Sequence, residues 1–147
     1  MGTYFTNPAA HPEDAGVQYL RRSVTFDSAE LSSALGSPIG AAPAGSIIDN
    51  ANVNIEIAFN AGTTNNLQIG SAAVPAGVAA AGTVVAGTVG WKPRLAAGAV
   101  VGAPLAVDTI IYAQYAQSGT AATAGKAEIV VPYYPKREGV GQAWPNN

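Results

Sequence analysis

The sequence contains no cysteine and one histidine. Without cysteine there is no disulfide framework, no thiolate metal site and no cysteine nucleophile. A single histidine excludes a two- or three-histidine metal centre within one chain. That residue, His11, sits before Pro12 in an irregular stretch. A Ser–His–Asp system needs a histidine held rigidly between two partners, so His11 is read as a solvated residue. Charge is scarce too. Charged residues make up 11 % of the chain, with seven Lys and Arg, nine Asp and Glu, and a net charge of −2, where ordinary domains carry about 25 %. No long basic run neutralises phosphates, so no nucleic-acid partner is expected. The longest apolar stretch, Val74 to Val89, is interrupted by Pro75, Gly77, Gly82 and Gly87. It is too short and too broken to span a bilayer, and no membrane association is expected. Met1 to Gly16 has no apolar h-region, so a signal peptide is not expected either.

The remaining routes to chemistry are thin. No GxxxxGK[ST] loop occurs, and no GxGxxG precedes a helical pattern, so no phosphate cradle or cofactor is indicated. The acids are scattered rather than paired for proton transfer. Glu13-Asp14 reads as a solvated pair. Glu56 and Glu128 fall on the polar faces of predicted strands, where solvation or a cross-strand pair with Lys or Arg is the ordinary outcome. Asp49-Asn50-Ala51-Asn52 offers oxygen atoms but lacks the spacing and closing Glu of a calcium loop. No catalytic, cofactor-binding or metal-binding residue is nominated, and an enzyme is not expected.

What the chain has is alternation. From Ala51 to Phe59, Val53, Ile55, Ile57 and Phe59 share one face and Asn52, Asn54, Glu56 and Ala58 the other, the period of a half-buried strand. The turn formers Asn60 to Asn66 follow, then Leu67-Gln68-Ile69-Gly70, which together predict a hairpin with a long loop. Val17 to Phe26 predicts a strand with an irregularity near Leu20-Arg21. Asp108 to Ala116 predicts another, with Lys126 to Tyr133 as its antiparallel partner across the Ser118–Gly125 loop. Pro132 cannot donate to a ladder and should lie at a strand end, an edge or a bulge. Thr83 to Thr88 is a β-branched run. Ser28 to Leu35 offers one or two helical turns, with Ser28 as cap and Gly36 as stop. Tyr19 and Tyr115 are read as core, and Trp91 as either a core plug or a contact. Residues 71–104, small and apolar, suit either ordinary strands and loops or a tightly packed intersubunit surface. Short strands separated by turns, with almost no helix, predict an all-β fold: a β-sandwich, jelly-roll-like.

The predicted organisation is an N-terminal arm over 1–15, one sandwich domain over 16–133 and a C-terminal arm over 134–147. The arms are rich in turn residues yet contain large aromatics, which bury substantial area when they find a pocket. Phe5, Tyr134 and Trp144 are the candidate interface anchors, with Lys136 and Arg137 as charged neighbours. Hydrophobic residues reach 48 % while charge is scarce. Either a partner covers part of the surface, or Ser, Thr, Asn and Gly solvate it.

The segment Ile55-Glu56-Ile57-Ala58-Phe59-Asn60-Ala61-Gly62-Thr63-Thr64-Asn65-Asn66-Leu67-Gln68-Ile69-Gly70, with Pro43 to Ile48 before it and Ala124 to Tyr134 at the end, resembles small structural proteins of tailed bacteriophages. The likeness spans roughly residues 17–134 and is a pattern of strands and turns. It implies a capsid decoration or cement protein on the outer surface of the virion, a dimer or trimer that bridges major capsid protein subunits. No functional residue is carried over. A head fibre, tail or host-binding component of the virion is the first alternative. A carbohydrate-binding β-sandwich is the second, and it would need exposed aromatics on one sheet face.

Overall fold

The computed structural model describes residues 16–96 and 98–136. Eight strands run β1 Gln18–Thr25, β2 Ser37–Ala42, β3 Ile47–Ile48, β4 Ala51–Ile57, β5 Thr64–Ser71, β6 Gly90–Leu95, β7 Thr109–Ser118 and β8 Lys126–Tyr134. Sheet I is ordered β1-β8-β4-β6, with β3 beside β8 ahead of β4, and sheet II is ordered β2-β7-β5. All the strand pairs are antiparallel: β1, β3 and β4 with β8, β4 with β6, and β2 and β5 with β7. The free side of β5 is covered by residues 78–86, which join it at the bridges Ile69↔Ala79 and Asn66↔Val85. Nested pairs of this kind, distributed over two sheets, are the winding of a jelly roll.

Alternation explains the core. Val53, Ile55, Ala127, Ile129 and Val131 of sheet I face Leu67, Ile69, Ile111, Ala113 and Tyr115 of sheet II, and all are buried. Val78, Ala79, Val84 and Ala86 close the side of β5. The rest of the small, apolar 71–104 stretch stays near the surface, with Val74, Val85 and Val89 exposed.

Several local expectations give way to tertiary structure. The two predicted hairpins are arches between the sheets: β4 pairs with β6 and β8 while β5 pairs with β7, and β7 and β8 lie in different sheets. Ile57 is exposed because the register with β8 slips between Ile55 and Ile57, so its alternation is broken by a bulge at Glu56. β1 carries no irregularity at Leu20-Arg21; its eight residues pair one to one with β8. Ser28 to Leu35 forms no helix but successive turns, with Leu31 N–H bonded to Ser28 C=O and Ser33 N–H to Glu30 C=O. The Ser28 hydroxyl turns back to accept the Thr25 N–H instead of capping forward, and Leu31 plugs the core. Thr83 to Thr88 likewise makes a bridge rather than a strand. Pro132 lies inside β8, an interior strand. Its C=O accepts the Asp49 N–H, so its missing donor faces the break between β3 and β4 and no ladder bond is lost.

The turn-rich motif after β4 locks the two arches together. Asn60 Oδ1 accepts the Thr123 and Ala124 N–H groups at 2.8 and 2.9 Å. Gly62 N–H bonds Thr120 C=O at 2.8 Å. Asn65 Oδ1 accepts both Ala61 N–H and the Tyr115 hydroxyl, and its amide donates to Ala61 C=O. The Phe59 and Tyr115 rings lie 4.7 Å apart. Gly125, at φ 149°, covers Phe59 so closely that a Cβ would sit 2.5 Å from the ring.

Candidate interaction surfaces

Because β1 and β8 are antiparallel neighbours with Gln18 opposite Tyr133, the chain enters and leaves the body side by side. A groove of about 450 Å³ lies there, lined by Gly16, Val17, Gly45, Ile47, Tyr134, Pro135 and Lys136. Two of the sequence-nominated residues, Tyr134 and Lys136, therefore share one groove. Tyr134 is 46 % exposed. The Lys136 stem crosses Gly45 (φ 83°), where a Cβ would lie 2.7 Å from its Cδ. Phe5, Arg137 and Trp144 lie outside the described residues, as does His11.

The outer face of sheet I is polar and charged. Glu56 pairs with Lys126 at 2.6 Å and Glu128 with Arg21 at 3.5 Å. The Lys126 amine is held above its usual value by the hydrogen bond and charge of Glu56. The oxygens of the Asp49–Asn52 stretch are occupied by donors. Asn50 Nδ2 bonds Asp49 Oδ2, Asn52 Nδ2 bonds Asn50 Oδ1, and Arg94 N–H bonds Asn52 Oδ1. They tie the β4–β6 bulge rather than gather around a cation. Among the described residues no group of three or more His, Asp or Glu side chains converges.

Tyr19 and Trp91 are not core. They are 60 % and 58 % exposed, and Trp91 lies on strand β6. Tyr19 points outward because Leu20 and Val24 are the residues of β1 that meet the core. Trp91 shares a row with Asn54 and Glu128, while Tyr19 is opposite Pro132. The two aromatics are thus three strand spacings apart, about 14 Å, and four residues apart along β8, about 13 Å. That separation does not make a platform for stacking one sugar ring.

The outer face of sheet II differs. β2, β5 and β7 contain no charged residue. Its central amides are satisfied within the chain: Gln68 Nε2 donates to Gln114 Oε1, and Gln114 Nε2 donates to Ser33 and Ala34 C=O at 2.8 and 2.9 Å. Sequence reading registered the low overall charge but not its confinement away from these three segments, although the segments are charge-free by inspection.

The described residues thus make a small jelly roll with surfaces suited to contact. Neither a protein-family model nor a curated protein matches the sequence. Among solved structures, a chain of the cyanophage Pam1 capsid asymmetric unit is similar, with 23 % identity and a TM-score of 0.61, over 82 % of this chain and 86 % of that one. At this identity the likeness establishes a shared fold. The two nearly equal coverages mean that the chains are of similar length.

Proposed function

We propose that the protein is a structural component of a phage virion that decorates the outer surface of the capsid and stabilises it by bridging major capsid protein subunits. The observation that carries this reading is the match, over most of both chains, to a chain of similar length in a phage capsid asymmetric unit. That no group of three or more His, Cys, Asp or Glu side chains converges among the described residues agrees with a contact protein. So does the placement of the start of β1 beside the end of β8, with Gln18 opposite Tyr133. A protein that binds the assembled lattice but not dispersed subunits shifts the equilibrium toward the intact shell. Many copies multiply weak contacts through avidity. In this reading Tyr134, Lys136, Arg137, Phe5 and Trp144 anchor the body to the shell, and the protein self-associates as a dimer or trimer.

Cryo-electron microscopy of the particles with which the protein co-purifies tests this. Hundreds of copies spread over the icosahedral shell are expected. A few copies at a vertex or tail would reassign it to a fibre or adsorption role, and no association with particles would overturn the virion reading. Replacing Trp144 by Ala is expected to lower capsid occupancy while leaving the thermal melt of the body unchanged.

A further inference from the structure

We infer that two copies of this chain pack through the outer face of sheet II, β2-β7-β5 against β2-β7-β5. This deepens the self-association in the reading above and does not depend on shell binding.

Edges are poor candidates for self-association. β1 places Arg22 on the inward-facing side of its free edge, opposite Ile129. β6 carries Lys92, Pro93 and Arg94. β2 carries Pro38, and β5 is covered by residues 78–86. Inward charges, prolines and covered backbone are the devices that block strand addition. Association therefore falls to a face, and the two faces are unequal. Sheet I would bring Arg21, Glu56, Lys126 and Glu128 together with their own copies.

The strands of sheet II offer an uncharged surface on which the Gln68 amide N–H bonds Gln114 Oε1 and the Gln114 amide N–H bonds the Ser33 and Ala34 carbonyls. Burying satisfied amides costs far less than burying unsatisfied ones. The face also has relief. Ile110 and Tyr112 form a ridge between two hollows of about 330 Å³ each. Leu35, Ile110 and Val107 stand out at 47 %, 45 % and 66 % exposure. A two-fold pairing is self-complementary by construction, so one copy's knob meets the other's hollow and the reverse. Three strands at about 4.8 Å spacing and about 30 Å length, with the Leu35 and Val107 loops, offer roughly 600 Å² per copy. A pair would bury roughly 1,200 Å², the lower bound of stable interfaces. Self-pairing also puts the charged sheets on opposite outsides of a four-sheet stack, beyond the screening length of about 8 Å in physiological salt. Each hollow has one acid in its lining, Asp108 in the first, where its Oδ1 accepts the Ala44 N–H, and Glu30 in the second.

Sedimentation equilibrium of the purified full chain, without particles, tests this at around 100 μM, above the micromolar affinities that interfaces of this size reach. The wild type is expected at twice the monomer mass, and Ile110→Glu at the monomer mass with an unchanged circular dichroism spectrum. Tyr19→Glu on sheet I is expected to leave the mass unchanged, and added salt not to dissociate the wild type. If Ile110→Glu fails to fold, a cysteine placed at exposed Ala41 in this cysteine-free chain reads the same contact by copy-to-copy cross-linking, with Ser23→Cys as control. A monomeric wild type, an associated Ile110→Glu, or cross-linking at Ser23 and not Ala41 would each overturn the proposal. A monomer whose Ile110→Glu variant loses capsid occupancy would assign the face to the shell instead. Particle location is read in a separate experiment, so the two proposals fail separately.

Discussion

Every Lys and Arg in the described strands belongs to sheet I, whereas the three strands of sheet II contain no charged residue at all. Inside the sandwich the contrast vanishes: Ile129 of sheet I and Ile111 of sheet II are equally inaccessible. The difference teaches that one strand pattern serves two ends. The inward residues answer to packing, which treats both sheets alike. The outward residues are free of that demand, and they differ: charged pairs on sheet I, uncharged side chains on sheet II.

The largest expected effect attacks the shared interior. Ile111→Ala and Ile129→Ala should each cost about 3 kcal/mol in denaturant unfolding, with values close to one another. A large inequality would mean that the sheets do not share one core. The next effect lies where the sheets are joined. Asn65→Ala removes the acceptor of Ala61 and Tyr115 and should cost about 2 kcal/mol, while Tyr115→Phe should cost about 1 kcal/mol. Burial raises the Tyr115 hydroxyl above its usual value near 10. The unfolded chain therefore loses this proton first, and the stability it contributes is complete below pH 10 and lost as pH rises through the elevated folded value. The deficit of Tyr115→Phe relative to wild type should accordingly shrink above pH 10. The smallest effect is on the exposed face of sheet I. Glu56→Gln breaks the Lys126 pair and should leave the unfolding midpoint unmoved, as solvent screens such pairs.

Strand positions were legible because alternation reports directly on which residues face a core, and β4, β5, β7 and β8 follow it closely. Strand partners were not. A strand that crosses to the opposite sheet buries the same face as one that folds back on itself, so Asn60–Asn66 and Ser118–Gly125 read equally well as hairpin loops or as arches. Ile57 was misplaced by a bulge set by the register with β8, a long-range pairing absent from the local pattern. Tyr19 was assigned inward on its aromatic character, although the spacing of Leu20 and Val24 placed it outward. Trp91 had no alternation around it to decide its side. Of the nominated contact residues, Tyr134 and Lys136 are near one another by sequence, but the groove they share with Gly16, Val17 and Ile47 is made by the pairing of β1 and β3 with β8, which no local signal reveals. The Phe-Asn-Ala-Gly-Thr-Thr-Asn motif, conspicuous in the sequence, holds two arches together and leaves its side chains little freedom to bind anything else.

The antiparallel register of β1 and β8, with Gln18 opposite Tyr133, also sets how the molecule carries load. Tension that draws Gln18 and Tyr133 apart acts across one end of the ladder, so its bonds break in succession, as a zipper opens, at low force. Tension in the same direction on both residues is shared by the whole β1–β8 pair and passes into the core behind it. A body pulled from this corner resists being lifted far better than being prised open.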